Sequence, residues 1–150
     1  FHDIGKIGIA DDILFKTDKL TESEYDEIKK HPIKGAHILS AVSMFKDIVP
    51  LVKYHHERID GRGYPFGLKG DEIPFLARII SVADAFDAMT SDRQYRSKLC
   101  LEEAKNQMIT NSGTQFDAEV VKRFLVLLGD YDTMQKEIEY TFKTKESCIW

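Results

Sequence analysis

The sequence is poor in cysteine and has no cysteine pattern typical of a disulfide scaffold or a zinc site. Its 150 residues include only two cysteines, Cys100 and Cys148, and neither belongs to a CxxC or Cys/His arrangement. A chain of this length can build a hydrophobic core without covalent cross-links. We therefore interpret both residues as reduced thiols and expect a cytoplasmic protein.

Long apolar runs and an excess of positive charge are also missing. The longest apolar run, Phe124–Leu128, is far shorter than the roughly 20 residues that span a bilayer, and no signal-peptide pattern is visible. With 25 acidic and 21 basic residues the formal net charge is −4. This balance argues against DNA as a partner and against binding to a membrane surface, so we expect neither DNA nor a membrane segment.

Helical periodicity dominates the chain, and strand-like alternation is limited to Ile138–Phe142. The Thr21-Glu-Ser-Glu24 segment has the form of a capping box, and Pro32 suits the first turn of the next helix. These signals and the apolar spacing predict helices at about Thr21–His31, Ile33–Val42, Ile48–His56, Phe75–Thr90, Leu101–Ile109 and Asp117–Leu128. The fold class is therefore all-α, with one long glycine-rich loop at Ile59–Pro74.

Residues that can bind a metal ion lie at or near the ends of four predicted helices: His2, Asp3, His31, His55, His56 and Asp84. A helical bundle can direct such side chains to a shared centre. Neighbours on a helix diverge by about 100°, so His55 and His56 converge only if their helix ends there. The two oxygens of Asp3 can bridge two ions about 3.5–4 Å apart, as in phosphoryl chemistry.

Basic residues near these ligands suggest a phosphate substrate. Lys6 lies four residues after His2, hence on the same face if that segment is helical, and Arg93 and Arg96 come just after the helix that carries Asp84. Lysine binds phosphate as a point charge, and arginine binds it through two parallel hydrogen bonds. Each feature alone is ordinary in a surface or capping residue. Together they predict metal-assisted hydrolysis of a phosphate ester.

Five blocks of the sequence resemble the signature segments of the HD-GYP domain family. They occur in the family's order and are Phe1–Gly8, His31–Gly35, His55–Pro65, Val82–Arg93 and Gly113–Asp117. The resemblance covers residues 1–129, which we expect to form the HD-GYP domain. Residues 130–150 have no counterpart and are expected to form a C-terminal tail.

This resemblance implies a helical bundle of the HD superfamily that hydrolyses cyclic di-GMP to pGpG and in some members to GMP, through in-line attack of a metal hydroxide on phosphorus. It implies two divalent ions, iron or manganese, with zinc as a further option. One ion is expected on His2, Asp3 and Asp84, and the other on Asp3, His31, His55 and His56. Asp3 and Lys6 are the expected catalytic residues. Lys6 touches phosphate, and Arg93 and Arg96 bind the nucleotide.

The resemblance also implies partners and exposes two departures. In the family, the loop that here contains Asp60, Gly61, Gly63, Tyr64 and Pro65 contacts partners that include diguanylate cyclase (GGDEF) domains, and an upstream regulatory domain is a further expected partner. Family members carry helices before the HD pair that supply another ligand histidine and often a glutamate for a third metal. This sequence starts after them, at Phe1, so we expect a piece of a longer protein and no third metal. The second departure is Gln94, which stands in Ser91-Asp-Arg-Gln-Tyr-Arg96 where family members usually have proline.

Two other functions remain open from the sequence. The chain is either an enzyme or a catalytically silent HD-GYP module that binds nucleotides or partners. If it is an enzyme, another cyclic dinucleotide such as cyclic GMP-AMP, or another nucleotide, is a possible substrate, because a metal pair recognises phosphate and not the base.

Overall fold

A computed structural model describes residues 1–92 and 97–129 of the chain. The helices are α1 (Asp11–Leu14), α2 (Glu22–Ile28), α3 (His31–Ser40), α4 (Val49–Tyr54), α5 (Phe75–Thr90), α6 (Leu101–Thr110) and α7 (118–129). Short 3-10 helices span Ile4–Gly8, Ser43–Phe45 and Gly70–Glu72. The described residues contain isolated bridge pairs but no strand, which confirms the all-α class. The predictions for Arg93, Gln94, Arg96, Ile138–Phe142 and the 130–150 tail lie outside the described residues.

The predicted capping box starts α2. The Glu24 backbone N–H donates to Thr21 Oγ1 at 3.3 Å, and the Thr21 backbone N–H donates to Glu24 Oε2 at 2.7 Å. The helix ends at Ile28, earlier than predicted, and α3 begins at His31 with Pro32 in its first turn. The first turn of a helix tolerates proline, because backbone N–H groups there have no intrahelical acceptor and the missing N–H of proline costs no hydrogen bond. His31 is thus the first residue of a helix and not the last residue of one.

A hydrophobic core joins α5, α6 and α7. Its buried members are Val82, Met108, Phe116, Val120 and Val121. Helix α5 has the predicted bounds and carries Asp84 next to this core. No helix within residues 1–92 and 97–129 is long and apolar enough to cross a membrane.

A close backbone contact fixes the N-terminal segment on α3. Gly5 is buried, and a Cβ atom there would lie 1.9 Å from the His31 carbonyl oxygen and 2.5 Å from the Gly35 backbone nitrogen. Only glycine permits this approach, which sets the 3-10 helix Ile4–Gly8 directly against the start of α3. The contact brings Asp3, the residue before that 3-10 helix, next to His31.

The long loop that follows α4 covers residues 55–74. Its first part is tied to the turn before α7, because the Asp60 N–H donates to the Thr114 carbonyl at 2.8 Å and Arg58 donates to Gln115 Oε1 at 2.9 Å. Arg58 also binds both carboxylate oxygens of Asp60, at 3.0 and 2.7 Å. These bonds hold the loop beside α5 and α7.

We predict that Gly5→Ala lowers the free energy of unfolding by about 1–3 kcal/mol, because the new methyl group meets backbone atoms that cannot move independently. Urea unfolding followed by circular dichroism measures the change. Gly8→Ala is the matched control, since a Cβ at Gly8 meets only the flexible Lys34 side chain, at 3.1 Å. Equal stability of the two variants contradicts the prediction.

Candidate metal centre

Four side chains from separate parts of the chain converge on one small volume. One ligand atom from each of Asp3, His31, His55 and His56 lies within 4.8 Å of the others. Helix α4 ends at Tyr54 and His55 is its C-cap, so His55 and His56 lie in the turn that directly follows the helix. Their ring centroids lie 3.9 Å apart, which is the convergence that the sequence required for both to be ligands.

Two of the histidines are oriented by backbone carbonyl groups. His31 Nδ1 lies 2.8 Å from the Ile28 carbonyl oxygen, and His55 Nδ1 lies 2.7 Å from the Val52 carbonyl oxygen. A carbonyl oxygen only accepts, so each Nδ1 carries the proton and each Nε2 of the neutral ring has a free lone pair. The two Nε2 atoms face each other at 3.4 Å. Two nitrogen lone pairs at this distance repel each other, and a cation bound by both would remove this repulsion.

Burial keeps these rings neutral. Loss of hydration lowers the pKa of His55 from 6.5 to about 4 and the pKa of His56 to about 2. It also lowers the pKa of His31. Like-charge repulsion between the histidines adds to the effect on His55 and His56. Neutral imidazole is the form that binds metal ions, so the histidines are ready as ligands near neutral pH.

Asp3 supplies the negative charge of the cluster. Burial raises the pKa of its carboxyl group, but the hydrogen bond and charge of Lys6 outweigh this and lower the pKa below its usual value. Lys6 Nζ lies 2.7 Å from Oδ2. Oδ1 is buried 3.3 Å from His31 Nε2 and has no hydrogen-bond partner within the described residues. A buried carboxylate oxygen is costly without a partner, and a metal ion among these four residues supplies one.

A second group of ligands adjoins the first through the same carboxylate. His2 Nε2 lies 3.4 Å from Asp84 Oδ1 and 3.5 Å from Asp3 Oδ2. All six metal ligands predicted from the sequence are therefore brought together, with Asp3 between the two groups. Lys6 also lies at this point, bound to the oxygen that faces His2. The sequence suggested Lys6 on the helical face of His2, whereas in the 3-10 geometry it pairs with Asp3.

A cavity of about 590 Å³ opens beside the two ligand groups. Its volume lies within the range of pockets that bind small molecules. Asp3, His56 and Asp84 are part of its wall, and the other polar groups that line it include Lys6, Tyr25, Arg58, Arg62, Tyr64 and Gln115. The cavity therefore combines a ligand cluster with cationic and aromatic side chains.

Several of these lining residues were missed or assigned differently from the sequence. Glu57 is 2% exposed, and its carboxylate accepts the backbone N–H groups of Phe66 at 2.7 Å and Leu68 at 3.0 Å. Its position directly after the histidine pair was the only available signal. Tyr64, predicted as a partner-loop residue, lies with its ring 4.7 Å from His56. Asp60, predicted for the same role, is held by Arg58 as described above. Whether the loop also contacts a partner stays a prediction.

The sequence profile of the HD domain matches residues 1–120 of the chain. The chain belongs to the HD domain family. A cyclic di-GMP phosphodiesterase of Thermotoga maritima is 46% identical over 128 residues, which cover 84% of this chain and 35% of that protein. A cyclic di-GMP phosphodiesterase of Pseudomonas aeruginosa is 42% identical, over 87% of this chain and 31% of that protein. The resemblance to HD-GYP domains is thereby confirmed.

Relatives with a different named substrate are similarly close. A 3′3′-cGAMP-specific phosphodiesterase of Vibrio cholerae is 41% identical, over 86% of this chain and 29% of that protein. The crystal structure of a cyclic GMP-AMP-specific phosphodiesterase from V. cholerae matches with a TM-score of 0.53 at 19% identity, over 81% of this chain and 32% of that one. This structural likeness supports the HD fold. The chain spans about a third of the length of the curated relatives it matches.

We predict that the chain, with a chelator present, loses stability as the pH falls from 6.5 towards 4, the ordinary and the folded-state pKa of His55. In this window the unfolded chain binds a proton that the folded chain excludes, so stability rises with pH by up to about 1.4 kcal/mol per pH unit for each such histidine. Urea unfolding across the range measures the slope. His55→Gln is expected to reduce the slope of stability against pH, to which His31 and His56 still contribute. His37→Gln, at an exposed position of α3, is expected to leave the slope unchanged. A flat profile for the wild-type chain contradicts the prediction.

Proposed function

We propose that the chain carries the catalytic centre of a metal-dependent phosphodiesterase that hydrolyses cyclic di-GMP to pGpG, or on to GMP. The observation that carries the proposal is the position of Asp3 between two groups of ligands, with Lys6 on its carboxylate and an open cavity alongside. Relatives named as cyclic di-GMP phosphodiesterases support the substrate class.

The residues present fit two divalent ions, which we propose to be iron or manganese, with zinc as the further option. His2, Asp3 and Asp84 would hold one ion, and Asp3, His31, His55 and His56 the other. Nitrogen and carboxylate ligands of this kind suit all three metals, and availability often decides between them. We propose no third ion. When bound, the pair supplies Lewis-acid stabilisation of charge at phosphorus and an activated water nucleophile.

The chain's own residues then orient the phosphodiester. Lys6 Nζ lies at the junction of the two ligand groups, where its ammonium group binds a phosphate oxygen or donates a proton to the departing 3′ oxygen. Carbonyl hydrogen bonds fix the tautomers of His31 and His55. Arg62 lines the cavity at an exposed position and presents its guanidinium group to the second phosphate of a cyclic dinucleotide, whereas the guanidinium group of Arg58 is held by Asp60 and Gln115. Arg93 and Arg96 remain predicted nucleotide contacts.

We predict that Asp3→Asn in the full chain lowers phosphodiesterase activity by about three orders of magnitude, because both ligand groups lose their shared carboxylate and a metal pair contributes several kcal/mol. Chromatography of cyclic di-GMP and its products, with manganese or iron present, measures turnover. His37→Gln is the matched control, as it alters an exposed histidine outside the cluster. Unchanged turnover of Asp3→Asn, with helical circular dichroism retained, contradicts the mechanism. If the wild-type chain binds cyclic di-GMP without turnover, the silent-module hypothesis replaces it.

A second candidate substrate is 3′3′-cyclic GMP-AMP, because the relatives include phosphodiesterases named for it. The ligand cluster contacts phosphate and does not distinguish guanine from adenine. The kcat/KM values of the same manganese-loaded chain for cyclic di-GMP and for 3′3′-cyclic GMP-AMP decide between the two, and we expect the higher value for cyclic di-GMP, for which the Thermotoga relative at 46% identity is named. The reverse ratio assigns the chain to the second substrate and leaves the metal mechanism intact.

We also propose that the loop containing Asp60, Gly61, Gly63, Tyr64 and Pro65 contacts a diguanylate cyclase (GGDEF) domain or an upstream regulatory domain. Phe66, the next residue, is exposed and supplies an aromatic contact. A cytoplasmic location remains our interpretation of the cysteine content. Cys100 is exposed and free, and Cys148 lies outside the described residues.

A further inference from the structure

His56 differs from the other two histidines of the metal cluster in how its ring is held. His31 and His55 each donate Nδ1–H to a backbone carbonyl. Within residues 1–92 and 97–129, neither ring nitrogen of His56 has a hydrogen-bond partner. Metal-binding histidines almost always have such a partner, which fixes the ring and its tautomer. The orientation of His56 must therefore come from packing.

Three rings pack against His56, and only one of them belongs to a residue outside the ligand cluster. His55 and His31 lie at centroid distances of 3.9 and 4.9 Å, the latter edge-on at 82°. Tyr64 lies at 4.7 Å with an interplanar angle of 33°, close to a stacked arrangement. Aromatic pairs in this distance range are favourable beyond the area they bury. Among the residues that the structure describes, Tyr64 is thus the only aromatic neighbour of His56 that is not itself a proposed metal ligand.

Tyr64 is in turn held by backbone contacts and by Glu57. Its own N–H donates to the His56 carbonyl at 3.2 Å. The loop just after Pro65 is anchored by the buried carboxylate of Glu57, which accepts the N–H groups of Phe66 and Leu68. At Gly63 a Cβ atom would lie 2.4 Å from the Arg58 nitrogen and 2.6 Å from Glu57 Cα. The loop therefore lies directly on the segment that carries the histidine pair.

We propose that Tyr64 and Glu57 are positioning residues for His56: the Tyr64 ring orients the imidazole in place of a hydrogen bond, and the Glu57 carboxylate fixes the loop that presents this ring. The inference rests on the proposed function to the extent that His56 binds metal. It gives the loop a role inside the catalytic centre, in addition to any contact with a partner.

Manganese affinity of the full chain tests the role of the ring. Isothermal titration calorimetry and the electron paramagnetic resonance signal of Mn²⁺ both measure binding without requiring turnover. Loss of an outer-shell partner typically weakens metal binding about 10–100-fold, and we expect a loss of this size for Tyr64→Ala. Tyr64→Phe keeps the ring and is expected to bind manganese like the wild-type chain. Phe66→Ala is the matched control, because that ring lies on the same loop and packs on Tyr54 at 5.9 Å.

Two substitutions at the carboxylate test the role of Glu57. Glu57→Ala is expected to speed hydrogen exchange of the Phe66 and Leu68 amides and to weaken manganese binding together. Glu57→Gln keeps one acceptor oxygen and is expected to lose less affinity than Glu57→Ala. Circular dichroism of each variant verifies that the helices remain folded, and calorimetry under those conditions then compares folded proteins.

The outcomes separate this inference from the function on which it rests. A wild-type chain that binds none of manganese, iron and zinc overturns both. Wild-type binding with equal affinity in Tyr64→Ala overturns the role of the ring alone, as does an equal loss in Tyr64→Phe. Faster exchange in Glu57→Ala without weaker binding overturns the role of the carboxylate. Weaker binding in Tyr64→Ala and Glu57→Ala, with Tyr64→Phe and Phe66→Ala unchanged, supports the proposal.

Discussion

The carboxylate of Asp3, half-exposed but with one oxygen buried against uncharged imidazoles, is the constraint on which the site depends. Oδ1 lies beside Nε2 of His31 but accepts no hydrogen bond from it, and Oδ2 accepts a hydrogen bond from Lys6. A negative charge in such surroundings requires a cation, and a single ammonium group reaches only one side of it. Neutral imidazole nitrogens on the other side carry no positive charge themselves, but they can bind a metal cation that would supply it.

This arrangement is built from the ends of helices and not from their faces. Asp3 precedes a 3-10 helix, His31 begins α3, and His55 and His56 follow α4. At a helix end the backbone direction changes, so neighbouring side chains can point to one place. The close approach at Gly5 then sets two of these ends against each other. Helix α5 supplies the one ligand that comes from the interior of a helix, Asp84.

The sequence predicted the helices and the residues that converge on the candidate site well, because both leave local signals. The capping box at Thr21 and the apolar spacing of α5 depend on neighbouring residues, and the His55-His56 pair is unusual in itself. The contacts of Glu57 and Tyr64 were not predicted, since a buried carboxylate and a surface one look alike in a sequence. Arg78 is a similar case. It lies between Asp71 and Asp117, from the turn before α5 and the start of α7, and no local pattern indicates this pairing.

The dispersion of the ligands along the chain has a thermodynamic consequence. Asp3 is far in sequence from Asp84, its proposed partner on one ion, and from His31, its proposed partner on the other, so an unfolded chain cannot present either set of residues to an ion. An ion held by either set would bind only the native state and would stabilise it by an amount that grows with the logarithm of its free concentration, about 2.7 kcal/mol at a hundred times the dissociation constant. Metal supply in the cell would then govern how much of the protein survives proteolysis, and not only how fast it turns over substrate.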